Sequence, residues 1–217
     1  MKNVQLLIDK MTFMADTYGS DKGSKKHMYT KYYVSKFGIE LDRPVKILEF
    51  GVATGGSIRL WYEWFPKSFV VGVDKNPDAN IDLPVFAECD KQRLRIITGM
   101  QSDPKILAQI VKLGPFDIII DDGSHRPEDQ QYCFTKLFEK SLVAGGMYVI
   151  EDLQTSRATP IALTIDVLRH FQHTLDYIGS YYTSNKSTQA KVKSYINANL
   201  RKCIMYEDKI AFIQKSI

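Results

Sequence analysis

Val45-Lys46-Ile47-Leu48-Glu49-Phe50-Gly51-Val52-Ala53-Thr54-Gly55-Gly56-Ser57 passes from an apolar run of strand length into a glycine-rich turn. The residues that follow place Ile58, Leu60, Trp61, Trp64 and Phe65 on one broad helical face. Glycines between a strand and a helix let a ligand approach the backbone where the helix-start amides converge. Working outward, further apolar runs lie at Phe69 to Val73, Ile96 to Ile97, Phe116 to Ile120 and Met147 to Ile150. Most are apolar on both faces, the pattern of a parallel sheet covered on both sides.

Helical signals alternate with these runs. Asp103-Pro104 is an N-cap with proline at the first helical position, followed by Ile106, Leu107, Ile110 and Val111 up to Gly114. A third helix is predicted from Pro127 to Val143, stopped by Gly145-Gly146. A fourth opens at Thr159-Pro160 and spaces Ile161, Ile165, Leu168 and Phe171. The rhythm predicts a doubly wound α/β sheet. Near the C-terminal side, Cys203 to Tyr206 and Lys209 to Gln214 flank Glu207-Asp208 and predict a hairpin with a tight turn. Val4 to Met14 is predicted helical, and residues 1–40 are read as a helical or lid segment of one domain spanning 1–217. The polar stretch from Lys186 to Lys193 reads as a loop or linker.

A chain of 217 residues with 44% hydrophobic content can bury a sizeable core. Lys+Arg 29 against Asp+Glu 25 gives a net charge of +4, spread along the chain, which is no nucleic-acid signature. Cys89, Cys133 and Cys203 are odd in number and share no metal-ligand spacing, which points to free thiols in a reducing compartment. No apolar run approaches the ~20 residues of a membrane span. The expectation is a soluble, cytoplasmic protein without membrane or nucleic-acid partners.

Two acidic strings end apolar runs: Asp121-Asp122-Gly123-Ser124-His125 and Glu151-Asp152. Carboxylates converging from separate strand ends suit a hard divalent cation, and a histidine nearby is a candidate base. Asp121 could instead cap the next helix, and Glu151 and Asp152 could be solvated loop charges. The ligand-binding edge of an open α/β sheet favours the site. Asp74, at the end of the second run, stands where a ribose hydroxyl pair is gripped. His170 and His173 lie three apart on a helix, and His27 sits among Lys25, Lys26 and Tyr29; surface or packing roles are the commoner reading for all three. Tyr29, Tyr32 and Tyr33 fit either an aromatic platform for a sugar or a lid contact.

The spacing Glu49-x-Gly51-x-Ala53-x-Gly55 resembles motif I of class I S-adenosylmethionine-dependent methyltransferases. Five strings resemble the metal-dependent sugar O-methyltransferases that modify the deoxysugars of macrolides and related glycosides. They are Tyr18-Gly19-Ser20-Asp21-Lys22-Gly23, Ile47-Leu48-Glu49-Phe50-Gly51-Val52, Gln101-Ser102-Asp103-Pro104, Ile119-Ile120-Asp121-Asp122-Gly123-Ser124-His125 and Tyr148-Val149-Ile150-Glu151-Asp152-Leu153. The resemblance runs from Tyr18 to about Ser156.

It implies a Rossmann-like, mostly parallel seven-stranded sheet with a C-terminal antiparallel hairpin; chain length departs from the resemblance, and the expectation is that the extra N-terminal domain of some macrolide members is lacking. It also implies S-adenosyl-L-methionine and Mg2+, or a similar divalent cation, as cofactors. Asp122, Glu151 and Asp152 would hold the metal, and His125 would take the proton of the acceptor hydroxyl. Cofactor contacts would come from Tyr18, Lys22, Glu49, Gly51, Ala53, Gly55, Ser57, Asp74, Gln101 and Asp121. Met100 stands where such enzymes often carry Asp, which moves the adenine-side contact to Gln101. The acceptor would be a small-molecule or glycan sugar, a deoxyhexose such as rhamnose, and a homo-oligomer is compatible with the reading. The alternatives are a catechol or other small vicinal diol as acceptor, a catalytically silent nucleoside-binding module, and a nucleic-acid methyltransferase. The last lacks the Asn/Asp-Pro-Pro-aromatic string of amino methyltransferases.

Overall fold

The computed structural model describes residues 2–38, 42–76, 78–155 and 161–217. The expected helix start at Thr159-Pro160, the Ser156 limit of the resemblance and the last residues of the 1–40 segment lie outside the described residues. The chain divides into two compact units, Met1–Gly99 and Met100–Ile217.

The first unit carries α1 (Lys2–Tyr18), α2 (Thr30–Phe37), β1 (Lys46–Phe50), α3 (Gly56–Trp64), β2 (Phe69–Asp74) and β3 (Leu94–Thr98). The strands are parallel in the order β3-β2-β1, with Phe50 opposite Val73 and Asp74 opposite Thr98. Ile47, Leu48, Phe50, Val70 and Val71 are fully buried, which is why these runs read as apolar on both faces. Tyr29 and Tyr33 are also fully buried, and the Tyr33 ring centroid lies 4.7 Å from that of Trp61 on α3. The tyrosines are therefore core, where the sequence allowed a platform or a lid. Their spacing along α2 turns Tyr33 and Phe37 toward the same aromatic cluster.

The second unit carries α4 (Pro104–Leu113), β4 (Phe116–Asp121), α5 (Pro127–Lys140), β5 (Leu142–Ile150), α6 (Thr164–Thr174), α7 (Lys186–Asn199), β6 (Leu200–Tyr206) and β7 (Ile210–Lys215). Its strand order is β4-β5-β7-β6; β4 and β5 are parallel, and β7 is antiparallel to both β5 and β6. Glu207 and Asp208 have φ of 52° and 56°, the backbone of a tight hairpin turn, so the predicted C-terminal hairpin forms. Asp103 caps α4 as predicted, its side chain accepting from the Lys105 amide at 2.7 Å.

Two elements differ from the sequence reading. α5 stops at Lys140 rather than Val143, because the Ser141 carbonyl accepts from the Phe116 amide at 2.7 Å and draws the chain into β5, with Leu142 opposite Phe116. Gly145-Gly146 thus lie inside a strand instead of ending a helix. Residues 186–199 form a 14-residue helix where a linker was expected, capped by Asn185 through the Thr188 amide at 3.0 Å. Only Val192 and Ile196 of α7 are buried, too few to give an apolar period. Among the described residues no helix is long and apolar enough to cross a membrane. All three cysteines are free and buried.

Candidate functional site

In the first unit the glycine turn follows β1 directly. Gly55 has φ +85° at the N-cap of α3, and a Cβ there would lie 2.6 Å from both Val85 and Phe86. A Cβ on Gly56 would come within 2.6 to 2.8 Å of the backbone of Tyr18, Gly19 and Ser20. The Tyr18–Gly23 string is thereby pressed onto the start of α3. Glu49, fully buried, accepts from Ser57 Oγ at 2.9 Å and Trp61 Nε1 at 3.0 Å, and Lys22 Nζ, also fully buried, lies 3.3 Å from its other oxygen. Two opposite charges taken out of water together must be paired, so the Lys22–Glu49 ion pair fixes the Tyr18–Gly23 string to β1. Asp74 reaches back from the end of β2, its Oδ2 accepting from the amides of Val52 at 2.8 Å and Ala53 at 2.9 Å. Gly51 is held in the same turn, its amide donating to the Val73 carbonyl at 2.8 Å.

The sequence reading missed Arg59. Its guanidinium donates to the Val85 carbonyl at 3.1 Å and to Cys89 Sγ at 3.2 Å, pairs with Glu63 at 2.7 Å and lies over the Tyr18 ring. It ties the segment around Val85–Cys89 to the glycine turn. A lone arginine in an otherwise apolar helix start was the available signal. Burial pushes the Cys89 thiol up, with Arg59 offsetting part of that rise.

In the second unit, Asp122, His125 and Asp152 each offer a ligand atom within 4.8 Å of the others. His125 Nε2 lies 3.9 Å from Asp152 Oδ2, while its Nδ1 is buried without a hydrogen bond. His125 and Asp152 adopt left-handed backbone, φ 55° and 53°, uncommon for non-glycine residues and characteristic of functional turns. Glu151 is buried and its amide donates to the Asp121 carbonyl at 3.0 Å; the three-residue cluster comprises His125 in addition to Asp122 and Asp152, and Glu151 stands beside it. Two carboxylates and an imidazole so close together make an oxygen-rich donor set that fits a hard divalent cation.

Asp121 points inward, fully buried. Its Oδ1 accepts from Gln101 Nε2 at 3.0 Å and its Oδ2 from Tyr148 Oη at 3.5 Å. Burial pushes its carboxyl up to about 6, against the lowering effect of the Gln101 amide and of His125. Gln101 is buried too, and its Oε1 accepts from the Ser124 amide at 2.7 Å. Met100 is exposed. His170 and His173 line a surface cavity of about 540 Å³ on α6 beside the Arg169–Asp208 ion pair, outside the metal cluster. His27 stacks on Tyr29 and sits 3.8 Å from Asp21.

No family model matches the chain. Over 151 residues, 66% of its length, it is 36% identical to 8-demethyl-8-(2-methoxy-alpha-L-rhamnosyl)-tetracenomycin-C 3'-O-methyltransferase of Streptomyces olivaceus. Over the same length it is 34% identical to mycinamicin VI 2''-O-methyltransferase of Micromonospora griseorubida. It spans 36% of the length of each of these relatives. A crystal structure of the MycE methyltransferase from the mycinamycin biosynthetic pathway, in complex with Mg and SAH, superposes with a TM-score of 0.74 at 27% identity, covering 95% of this chain and 53% of that one. The chain therefore has the class I methyltransferase fold, doubly wound and Rossmann-like, with the antiparallel strand pair at its end, and it resembles the macrolide and rhamnosyl sugar O-methyltransferases.

Proposed function

We propose that this chain is an S-adenosylmethionine-dependent, Mg2+-dependent O-methyltransferase acting on a sugar hydroxyl, in a glycoside or nucleotide sugar carrying a deoxyhexose such as rhamnose. The observation that carries the reading is the convergence of Asp122, His125 and Asp152 within 4.8 Å. The relatives act, by their names, on rhamnosyl and macrolide glycosides, and the MycE crystal structure holds Mg and SAH.

In this reading the turn from Gly51 to Gly55 receives the amino-acid end of the cofactor, and Asp74 accepts from its ribose hydroxyls. Glu49, Ser57, Tyr18 and Lys22 keep the turn in shape. Bound S-adenosylmethionine supplies an electrophilic methyl on a sulfonium sulfur. Asp122, Asp152 and Glu151 would hold a divalent cation, which would supply positive charge beside the acceptor oxygen. His125 Nε2 receives the hydroxyl proton as the O–C bond forms and the C–S bond breaks, which releases S-adenosylhomocysteine. Free buried thiols accord with a cytoplasmic enzyme, and the dispersed charge with an acceptor other than nucleic acid.

The test is an activity survey with methyl-labelled S-adenosylmethionine over free sugars, nucleotide sugars, glycosides and catechols, each with and without Mg2+. Label transfer to a glycoside or nucleotide sugar only when Mg2+ is present is expected. Transfer confined to catechols would replace the sugar acceptor, and cofactor binding without transfer to any class would leave a nucleoside-binding module.

A further inference from the structure

Gln101 is tied to the acidic turn by both ends of its side chain. Its Nε2 donates to Asp121 Oδ1 at 3.0 Å and its Oε1 accepts from the Ser124 amide at 2.7 Å. Asp121 and Ser124 are the residues immediately before Asp122 and immediately before His125. A primary amide is the side chain that can donate to a carboxylate and accept from a backbone N–H at the same time, at a fixed separation. The residue is buried, and its own carbonyl accepts from Cys133 Sγ on α5 at 3.4 Å, so the amide starts from an anchored backbone. Ser124 is gripped a second time, its hydroxyl donating to Asp129 Oδ2 at 2.8 Å. Between these clamps His125 holds φ +55°, a conformation that persists only where the surroundings over-determine it.

We infer that Gln101 is a positioning residue for the metal cluster, clamping the Asp121–Ser124 turn so that Asp122 and His125 face Asp152, rather than a contact to the adenine of the cofactor. The inference rests on the metal-dependent reading above. The carbonyl oxygen is given to Ser124 and the amino group to Asp121 and, at 3.8 Å, to Cys133 Sγ, so both N–H groups that would read an adenine edge are directed into the turn and α5. Residues that orient metal ligands without touching the ion typically change metal affinity about 10- to 100-fold when replaced.

The experiment compares the wild-type chain with Gln101→Ala and with Gln101→Met, which keeps the volume and removes both hydrogen bonds. Mn2+ binding is read by calorimetry and by electron paramagnetic resonance, and S-adenosylmethionine binding by calorimetry on the same preparations. Both variants are expected to bind Mn2+ about 10- to 100-fold more weakly, with cofactor affinity within about twofold of wild type. Unchanged Mn2+ affinity would overturn the inference, and weakened cofactor binding alone would return Gln101 to the adenine. Two variants that both fail to fold would overturn it as well, since the amide would then serve the fold and not the site. Absence of Mn2+ binding in the wild type would instead defeat the metal-dependent reading itself, so the two failures are distinguishable.

Discussion

The glycine turn of the first unit and the acidic turn of the second solve opposite electrostatic problems. Around Glu49 the charge is balanced inside the chain: Lys22, Ser57 and Trp61 surround the carboxylate, and Asp74 accepts from the amides of Val52, Ala53 and Asn76. Around Asp122 the chain gathers two carboxylates and an imidazole whose ligand atoms lie within 4.8 Å of one another. A turn whose charges are paired within the chain holds its shape without a ligand. A turn that brings two carboxylates together is suited to a cation, and the proposed function depends on one entering.

If this contrast is right, metal removal should produce the largest effect and strike only one side. Exhaustive chelation is expected to reduce methyl transfer to background while S-adenosylmethionine still binds with its original affinity in a calorimeter. Loss of both together would erase the distinction between the two turns.

His125→Ala sharpens the acidic side by separating ligand from base. Turnover should fall by roughly 10² to 10⁴, the usual contribution of a positioned base, with Mn2+ affinity retained. A matching loss of Mn2+ binding would make the imidazole a metal ligand, as its membership of the cluster allows.

On the balanced side the expected cost is to the fold. Lys22→Met leaves Glu49 charged and fully buried without its cation, a change that typically costs about 3–5 kcal/mol. Urea unfolding of the variant should show that loss, and a stability within 1 kcal/mol of wild type, on the order of an exposed pair, would mean the pair is less isolated from water than its burial indicates.

Asp74→Ala should act more gently, weakening cofactor binding by about 1.5–3 kcal/mol through loss of a charged acceptor. Unchanged affinity would mean that the carboxylate serves only the Val52, Ala53 and Asn76 amides.

The smallest effect belongs to a surface contact of the second unit. Asp176 pairs with Lys193 and Asn197 of α7, and these hydrogen bonds hold its carboxyl below the ordinary 3.8. A carboxyl lowered in the folded state stabilises above its unfolded value and loses that contribution as pH falls through the folded one. Acid unfolding followed by circular dichroism should therefore begin at slightly higher pH in Asp176→Asn, and identical midpoints would show that the contact adds nothing.

The sequence displayed the glycine turn, the parallel strands and both acidic strings because each depends on local composition: apolar runs, glycines and adjacent carboxylates. What it hid depends on direction in space. Asp122, His125 and Asp152 come together through left-handed backbone at two of the three positions, which no residue spacing announces. α7 was invisible because a helix that buries two side chains carries almost no period, and the end of α5 because the strand bond from Phe116 to Ser141 is made across 25 residues of chain. The tyrosines of α2 were ambiguous for a related reason, since an aromatic ring suits a core and a sugar equally well.

The bond from the Glu151 amide to the Asp121 carbonyl makes the two acidic strings adjacent rungs of one parallel ladder, with Asp121 opposite Ile150. Side chains alternate faces along a strand, so one residue gained or lost within the regular stretch Ile118–Asp121 or Met147–Ile150 would turn every following carboxylate to the other side of the sheet. The two strings are thus a single unit of inheritance: their neighbourhood can drift by substitution, but it is closed to insertions and deletions, and length variation among related chains should collect outside the strands that lead into the site.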